Sequence, residues 1–238
     1  MHEPHRRSIR FVPALVVAAV LGSAAVHAAD LDSVLERFDQ VQASIRTLSA
    51  EFVETTSSPL LQAPIISEGR FYLTKPDSIR WEYTSPEPMR FVIAHDQYTG
   101  YFPSQNRAER RDIRRWREQL FRFFGVGQGS EELSRFYDLN LVGANDDVPG
   151  TYLMVLEPKK RRARKRVEDV RFWLDAETLL PRRVAYETKD GHARVIEFTD
   201  VSLNPDLSAS IYDVDLPPNV KITDGFSGLP NFSPAAAR

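Results

Sequence analysis

The chain has 238 residues, with 31 lysines and arginines against 33 aspartates and glutamates, and it contains no cysteine. The balanced charge excludes the broad positive field of a nucleic-acid binder, and the missing thiol excludes disulfides, cysteine nucleophiles and cysteine-ligated metals. At 42% hydrophobic and 11% aromatic residues, the sequence is too apolar for a disordered chain and long enough for one well-buried domain.

At the N-terminus, Arg6, Arg7 and Arg10 precede an apolar run from Phe11 to Leu21. Small residues then lead to Val26-His27-Ala28. A basic stretch, a short apolar stretch and a small-residue site together read as a secretory signal peptide. The apolar run is about half of the ~20 residues that span a bilayer, which argues against a permanent anchor. Residues 1–28 are therefore assigned to the signal peptide, 29–223 to one folded domain and 224–238, rich in Gly, Pro, Ser and Ala, to a flexible tail. Adjacent arginines at positions 6 and 7 leave general secretory and twin-arginine export both open. Removal of residues 1–28 leaves a net charge of about −4, and a soluble periplasmic monomer is the expected product.

Beyond that point a helix is predicted first. Asp30 or Asp32 caps it, and Leu31, Val34, Leu35, Phe38, Val41 and Ile45 recur at helical spacing. Strands follow at Ser49–Thr56, Ile65–Lys75, Ser78–Thr84, Met89–His95 and Gln97–Phe102. Turn signals separate them, including Lys75-Pro76-Asp77, Ser85-Pro86-Glu87-Pro88 and His95-Asp96. A helical interlude is predicted at Ile113–Phe124 and near Glu131–Tyr137. Strands resume at Tyr137–Val142, Thr151–Glu157, Val167–Asp175, Arg182–Thr188 and Ala193–Leu203. Short strands joined by tight turns predict an antiparallel meander of about ten strands.

The two-residue alternation sorts these strands into faces. Phe71, Leu73, Ile79, Trp81, Tyr83, Phe91, Ile93, Tyr152, Met154, Leu156, Val170, Phe172 and Leu174 share one face. Arg70, Thr74, Arg80, Glu82 and Arg171 share the other. So many strands with so little helix predict a sheet curled around its own apolar face, with the helices plugging the concavity. The same side chains would also serve as an ordinary core.

Chemistry is sparse. His95 and His192 are far apart and near turns, without metal-ligand spacing. No G-x-S-x-G elbow occurs, and Gly125-Val126-Gly127-Gln128-Gly129 lacks the lysine and spacing of a phosphate loop. No catalytic residue, metal or cofactor is assigned, and the chain reads as a non-enzyme. Two charged features remain. Lys159, Lys160, Arg161, Arg162, Arg164, Lys165 and Arg166 cluster between two strands, as a solvated hairpin or as a dock for an acidic partner or anionic lipid surface. Ile113, Trp116, Leu120 and Phe124, widened by Phe121, form an apolar stripe among arginines that suits either a core helix or a lid.

Glu68-Gly69-Arg70-Phe71-Tyr72-Leu73-Thr74-Lys75-Pro76 runs into Ile79-Arg80-Trp81-Glu82-Tyr83 and later Tyr101-Phe102-Pro103. Further on come Leu156-Glu157-Pro158-Lys159, Ile196-Glu197-Phe198-Thr199-Asp200-Val201 with Asn204, and Leu216-Pro217-Pro218-Asn219-Val220. In order and spacing these segments resemble the outer-membrane lipoprotein carrier family, LolA, over Leu31 to Ile222. The resemblance implies a mainly β (α+β) fold. It would be an unclosed antiparallel barrel of about ten or eleven strands, with an N-terminal helix and lid helices over an apolar concavity. It implies a periplasmic carrier, without cofactor, that receives lipoprotein or lipid cargo from an inner-membrane lipoprotein-releasing transporter and delivers it to an outer-membrane acceptor. Family carriers hold the lid with an arginine at the position of Lys75, where lysine offers one point charge in place of a planar fork. A carrier or sensor of another lipid, such as a glycolipid or pigment precursor, is the alternative, and a secreted hydrolase with a carboxylate pair is the third reading.

Overall fold

The computed structural model describes residues 31–115, 128–144 and 146–226. The assigned signal peptide and the lid residues Trp116, Leu120, Phe121 and Phe124 lie outside the described residues. Helix α1 spans Leu31–Ser44. A meander follows, made of β1 (Thr47–Ser57), β2 (Ile65–Thr74), β3 (Ser78–Ser85), β4 (Met89–Ala94), β5 (Gln97–Phe102) and β6 (Arg107–Asp112). After a helical turn, α2 (Ser130–Ser134), come β7 (Tyr137–Ala144) and β8 (Thr151–Pro158). A short helix, α3 (Arg161–Arg164), leads to β9 (Val167–Asp175), β10 (Pro181–Thr188) and β11 (Ala193–Leu203), and β12 (Lys221–Asp224) comes last.

All of these strands form one twelve-stranded sheet in the order β12-β6-β5-β4-β3-β2-β1-β11-β10-β9-β8-β7. Two meanders meet where β1 pairs antiparallel with β11, so the first and last long strands sit side by side at the centre. The result is an open, mainly β half-barrel. Every pairing is antiparallel except β12 on β6.

The strand count corrects the expected ten or eleven, and the two unforeseen strands have clear physical causes. β6 reads Arg-Ala-Glu-Arg-Arg-Asp, which carries no apolar alternation, yet Ala108 and Glu109 are buried along it. β12 is only four residues long and is held by its parallel neighbour. Asp224, assigned from sequence to the flexible tail, therefore closes a strand opposite Arg110. Phe226 packs its ring 4.2 Å from that of Tyr98, so the folded domain runs past its expected end at 223. Ile113 is fully buried and follows β6 directly; Arg114 and Arg115 are in a turn where helix was expected. The basic segment is a helical turn, α3, rather than a plain hairpin loop.

One face of the sheet carries nearly all the apolar bulk. On it, Phe52 of β1 sits opposite Gly69 of β2, and only glycine fits there. A Cβ on Gly69 would lie 2.5 Å from the Phe52 ring and 2.1 Å from the Glu82 carbonyl oxygen. Helix α1 crosses this face as an amphipathic element, burying Val34 and Phe38 toward β8 and β9 and Val41 toward β1 to β3. The opposite face is more polar, but it carries a small cluster in which Tyr212 covers Val92 and Ala94 and, on β8 and β9, the paired and buried Leu153 and Trp173.

Asn204 fixes the turn from α1 into β1. Its Oδ1 accepts from the backbone N–H of Arg46 at 2.7 Å and of Thr47 at 3.2 Å, and its Nδ2 donates to the Ser44 carbonyl at 3.1 Å. Three bonds from one side chain tie the C-terminal end of α1 to the end of β11. Asn204→Ala should cost about 2 kcal/mol of unfolding free energy, because the helix end loses its cap and two N–H groups lose their acceptor. Urea denaturation followed by tryptophan fluorescence checks this.

Candidate ligand-binding face

The ten residues expected to line a cavity all fall on the apolar face, and all ten are buried. They form two clusters. Phe71, Leu73, Ile79, Trp81, Tyr83, Phe91 and Ile93 belong to one over β1 to β5, whereas Met154, Phe172 and Leu174 belong to the other over β8 and β9. The first is an aromatic stack: Trp81 lies 4.7 Å from Phe52 and 5.0 Å from Phe71, and Tyr83 meets Phe52 edge-on at 5.2 Å. Val41 of α1 touches both clusters, so the helix bridges them.

Between the clusters the face changes character. Val170 of β9, Val184 and Tyr186 of β10, and Ile196 and Phe198 of β11 point the same way as the buried residues but are only half-buried. Their register partners establish the shared face, since Val184 sits opposite both Phe172 and Ile196. Apolar side chains left half-open beside a dry core are where a ligand can gain contact area without unfolding anything.

Lys75 sits in the turn between β2 and β3 and reaches α1, its Nζ donating to the Gln42 carbonyl at 2.7 Å. Burial holds its ammonium below the usual lysine range, with Glu132 of α2 working in the opposite direction. The contact is a single bond from a point charge, consistent with the loss of the planar fork. Helix α1 is also tied to α2: Asp39 accepts from the Ser130 hydroxyl at 2.7 Å and from its backbone N–H.

A buried polar group interrupts the apolar face, and sequence reasoning missed it. Glu54 of β1 follows Leu48, Ala50 and Phe52 at two-residue spacing and so points inward, as does Arg194 of β11, in phase with Ile196 and Phe198. Glu54 accepts from the Tyr83 hydroxyl at 2.8 Å and the Thr56 hydroxyl at 3.2 Å. The Arg194 Nε lies 3.4 Å from its Oε1. Burial first, and then the Glu54 charge, push the Tyr83 phenol far up, so it stays a hydrogen-bond donor. The signal was available, because inward phase places a residue regardless of its polarity.

On the polar face, Glu82 is held by Arg80 and Arg90 at 2.7 and 2.8 Å. Although burial pushes its carboxyl up, their hydrogen bonds and charges win and hold it below the ordinary range. Strands β9 to β11 form a groove of about 600 Å³ whose lining includes the outward Arg171, Trp173 and Arg183 together with Tyr186, Lys189 and Arg194. The Lys189 N–H donates to the Arg166 carbonyl at 2.8 Å, so this groove adjoins the basic segment. Lys159, Lys160, Arg161, Arg162, Arg164, Lys165 and Arg166 are all exposed. Lys159 is tied down by the Ser134 carbonyl and by Asp138 at 3.6 Å, and Arg164 donates to the Lys159 carbonyl at 2.9 Å. His95 and His192, treated as turn residues, are both exposed. Among the described residues no three histidines, cysteines or carboxylates group as metal ligands, and no helix is long and apolar enough to cross a membrane.

A single open sheet, apolar on one side and crossed by a helix, defines a half-barrel of the binding type. The family model for the outer membrane lipoprotein carrier protein LolA matches residues 43–215, and the chain belongs to this family. No curated protein matches the sequence. Among solved structures, an uncharacterized conserved protein from Thermus thermophilus has a TM-score of 0.53 at 12% identity, covering 82% of this chain and 98% of that one. A LolA superfamily protein from Nitrosomonas europaea has a TM-score of 0.40 at 13% identity, covering 77% and 97%. MucB of Pseudomonas aeruginosa, in its complex with MucA, has a TM-score of 0.47 at 14% identity, covering 77% and 60%. At these identities the first likeness speaks to the fold alone.

Proposed function

We propose that this chain is a periplasmic carrier that takes the acyl chains of lipoproteins onto its apolar face and moves them from the inner to the outer membrane. The observation that carries this is the half-open strip on β9 to β11, flanked by two apolar clusters and bridged by α1. Each methylene of an acyl chain gains about 0.8 kcal/mol on leaving water, so a lipid with two or three chains cannot cross an aqueous space bare. An open strip supplies part of the site in advance. Displacement of α1 uncovers the rest, next to Phe71, Trp81, Phe91, Phe172 and their neighbours. The Lys75 clasp on Gln42 holds the empty state closed, and the cost of breaking it lowers net affinity so that cargo can be released. Membership of the carrier family supports the same reading.

Cargo would arrive from an inner-membrane lipoprotein-releasing transporter and leave to an outer-membrane acceptor, with residues 1–28 directing export. In the direct experiment, the purified protein is incubated with membranes carrying a triacylated lipoprotein and the soluble fraction is assayed. A soluble one-to-one complex is the expected result. Lipoprotein that stays wholly in the membrane contradicts carriage.

The exposed basic segment is the docking element in this account. Changing Lys160, Arg162, Arg164 and Arg166 to serine should slow lipid transfer several-fold at low ionic strength without altering the binding of an apolar dye. The deficit should shrink as salt shortens the Debye length below about 8 Å. Equal transfer rates at low salt would reduce the segment to a solvated turn.

A further inference from the structure

The Glu54 and Arg194 pair has no place in a purely apolar lipid site, and its cost demands an explanation. Two charges withdrawn from water are rarely worth more than a well-packed apolar pair, so their retention on this face points to specificity rather than stability. The acceptor capacity of Glu54 is well used, by the Tyr83 hydroxyl at 2.8 Å, the Thr56 hydroxyl at 3.2 Å and Arg194. Arg194 is the opposite case. Its Nε faces Glu54 at 3.4 Å, and among the described residues its two terminal nitrogens donate no hydrogen bond, although its side chain is only 16% exposed. A guanidinium has five N–H donors in a rigid fork, and those of Arg194 that do not face Glu54 are not among the buried unpaired nitrogens of the described residues, so they keep access to solvent and are available to an acceptor that arrives with a ligand.

The position of the pair decides what that acceptor is. Arg194 lies directly opposite Thr56 on β1 and Tyr186 on β10, two residues along β11 from Ile196 on the half-open strip. A chain lying along Ile196, Phe198 and Val184 would bring its polar end to this fork. The pair is already neutral as a unit. A second carboxylate or a phosphate would leave net negative charge on an apolar face, whereas a carbonyl oxygen fills the donors without adding charge.

We infer that Arg194, set in place by Glu54, Tyr83 and Thr56, is a subsite for the neutral ester or amide carbonyl that links an acyl chain to its headgroup. This deepens the carrier reading and rests on it. Arg194 makes the contact, and Glu54 is a positioning residue. The subsite would let the protein recognise acylated molecules as such, rather than any oily surface.

The test compares 1,2-didecanoylglycerol with its diether analogue, which has the same chains and no carbonyls, by displacement of an apolar fluorophore. Didecanoylphosphatidic acid is the anionic arm. The wild type should prefer diester to diether by about tenfold, the scale of one charge-assisted hydrogen bond, and should bind the phosphatidic acid no better than the diester. In Arg194→Met the ratio of diester to diether affinity should fall to about one. Because that variant strands a buried carboxylate, the double variant Glu54→Gln, Arg194→Met removes both charges and should give the same ratio. Equal affinity for diester and diether in the wild type overturns the subsite, as does a preference that survives in the variants. Tighter binding of the phosphatidic acid also overturns it, in favour of an anion site. If the fluorophore and both glycerol lipids fail to bind at all, the carrier reading falls and the subsite with it.

Discussion

Val184→Glu should weaken binding of an apolar fluorophore or a two-chain lipid more than a hundredfold while the protein stays folded. Val184 lies at the centre of the half-open strip, opposite Phe172 on one side and Ile196 on the other. In the empty protein it is only half-buried, so a carboxylate there keeps much of its water and the fold survives. A bound acyl chain would strip that water away. An unpaired carboxylate cut off from solvent costs several kcal/mol, and about 3 kcal/mol already exceeds a hundredfold in affinity. Trp81→Glu should behave differently. Trp81 is 8% exposed and wedged between Phe52 and Phe71, so the substitution removes an aromatic ring from a packed stack and buries a charge in its place. Loss of the ring alone costs about 3 to 5 kcal/mol, enough to threaten the whole domain. Circular dichroism and dye titration on both variants separate these outcomes.

A second large effect is expected from locking α1. Cargo and α1 share one face, because Val34 and Phe38 of the helix bury themselves on the second cluster and Val41 touches both. Two acyl chains can enter the covered part only if the helix gives way. The side chains of Asp39 on α1 and Ser130 on α2 already meet at 2.7 Å, and the sequence has no cysteine of its own. A cysteine pair at these positions is therefore a clean switch. Oxidised, it should cut loading of a two-chain lipid at least tenfold; reduced, it should restore loading to the level of the cysteine-free protein. Mass spectrometry establishes the bond and dye displacement reads the loading. Equal loading in both redox states would mean that α1 does not move.

The parts of the fold legible in the sequence were those where the two-residue period and the turn chemistry agreed. Phe71 and Leu73, Ile79 to Tyr83, and Phe172 with Leu174 fell on one face because apolar residues alternate with Arg70, Arg80 and Arg171. The Lys75 turn and the His95-Asp96 turn fell where Pro and Asp residues mark them. β6 escaped because its inward positions carry Arg107, Glu109 and Arg111, charges that satisfy one another and their neighbours at the sheet edge. A polarity pattern cannot report a strand whose inward-phase side chains are ionic. The Glu54 and Arg194 pair escaped for the same reason, although each continues the phase of an apolar strand. The basic segment was visible as composition, but its helical turn was not, since α3 is only four residues long, buries no side chain and simply joins β8 to β9. What sequence alone could not decide was core against ligand face, because the same residues serve both. That difference lies in exposure: Trp81 is closed off, and Val184 and Ile196 on the same face are not.

In the proposed carrier, acyl chains lie on the apolar face along β10 and β11. A fatty-acyl glycerol carrying a photoactivatable diazirine near the chain terminus, cross-linked to the purified protein and mapped by peptide mass spectrometry, tests it most directly. Labels are expected on the strands bearing Val184, Tyr186, Ile196 and Phe198 and on α1, all of them lost in Val184→Glu. Labels confined to the outer side of the same strands, around Arg171, Trp173 and Arg183, would contradict it.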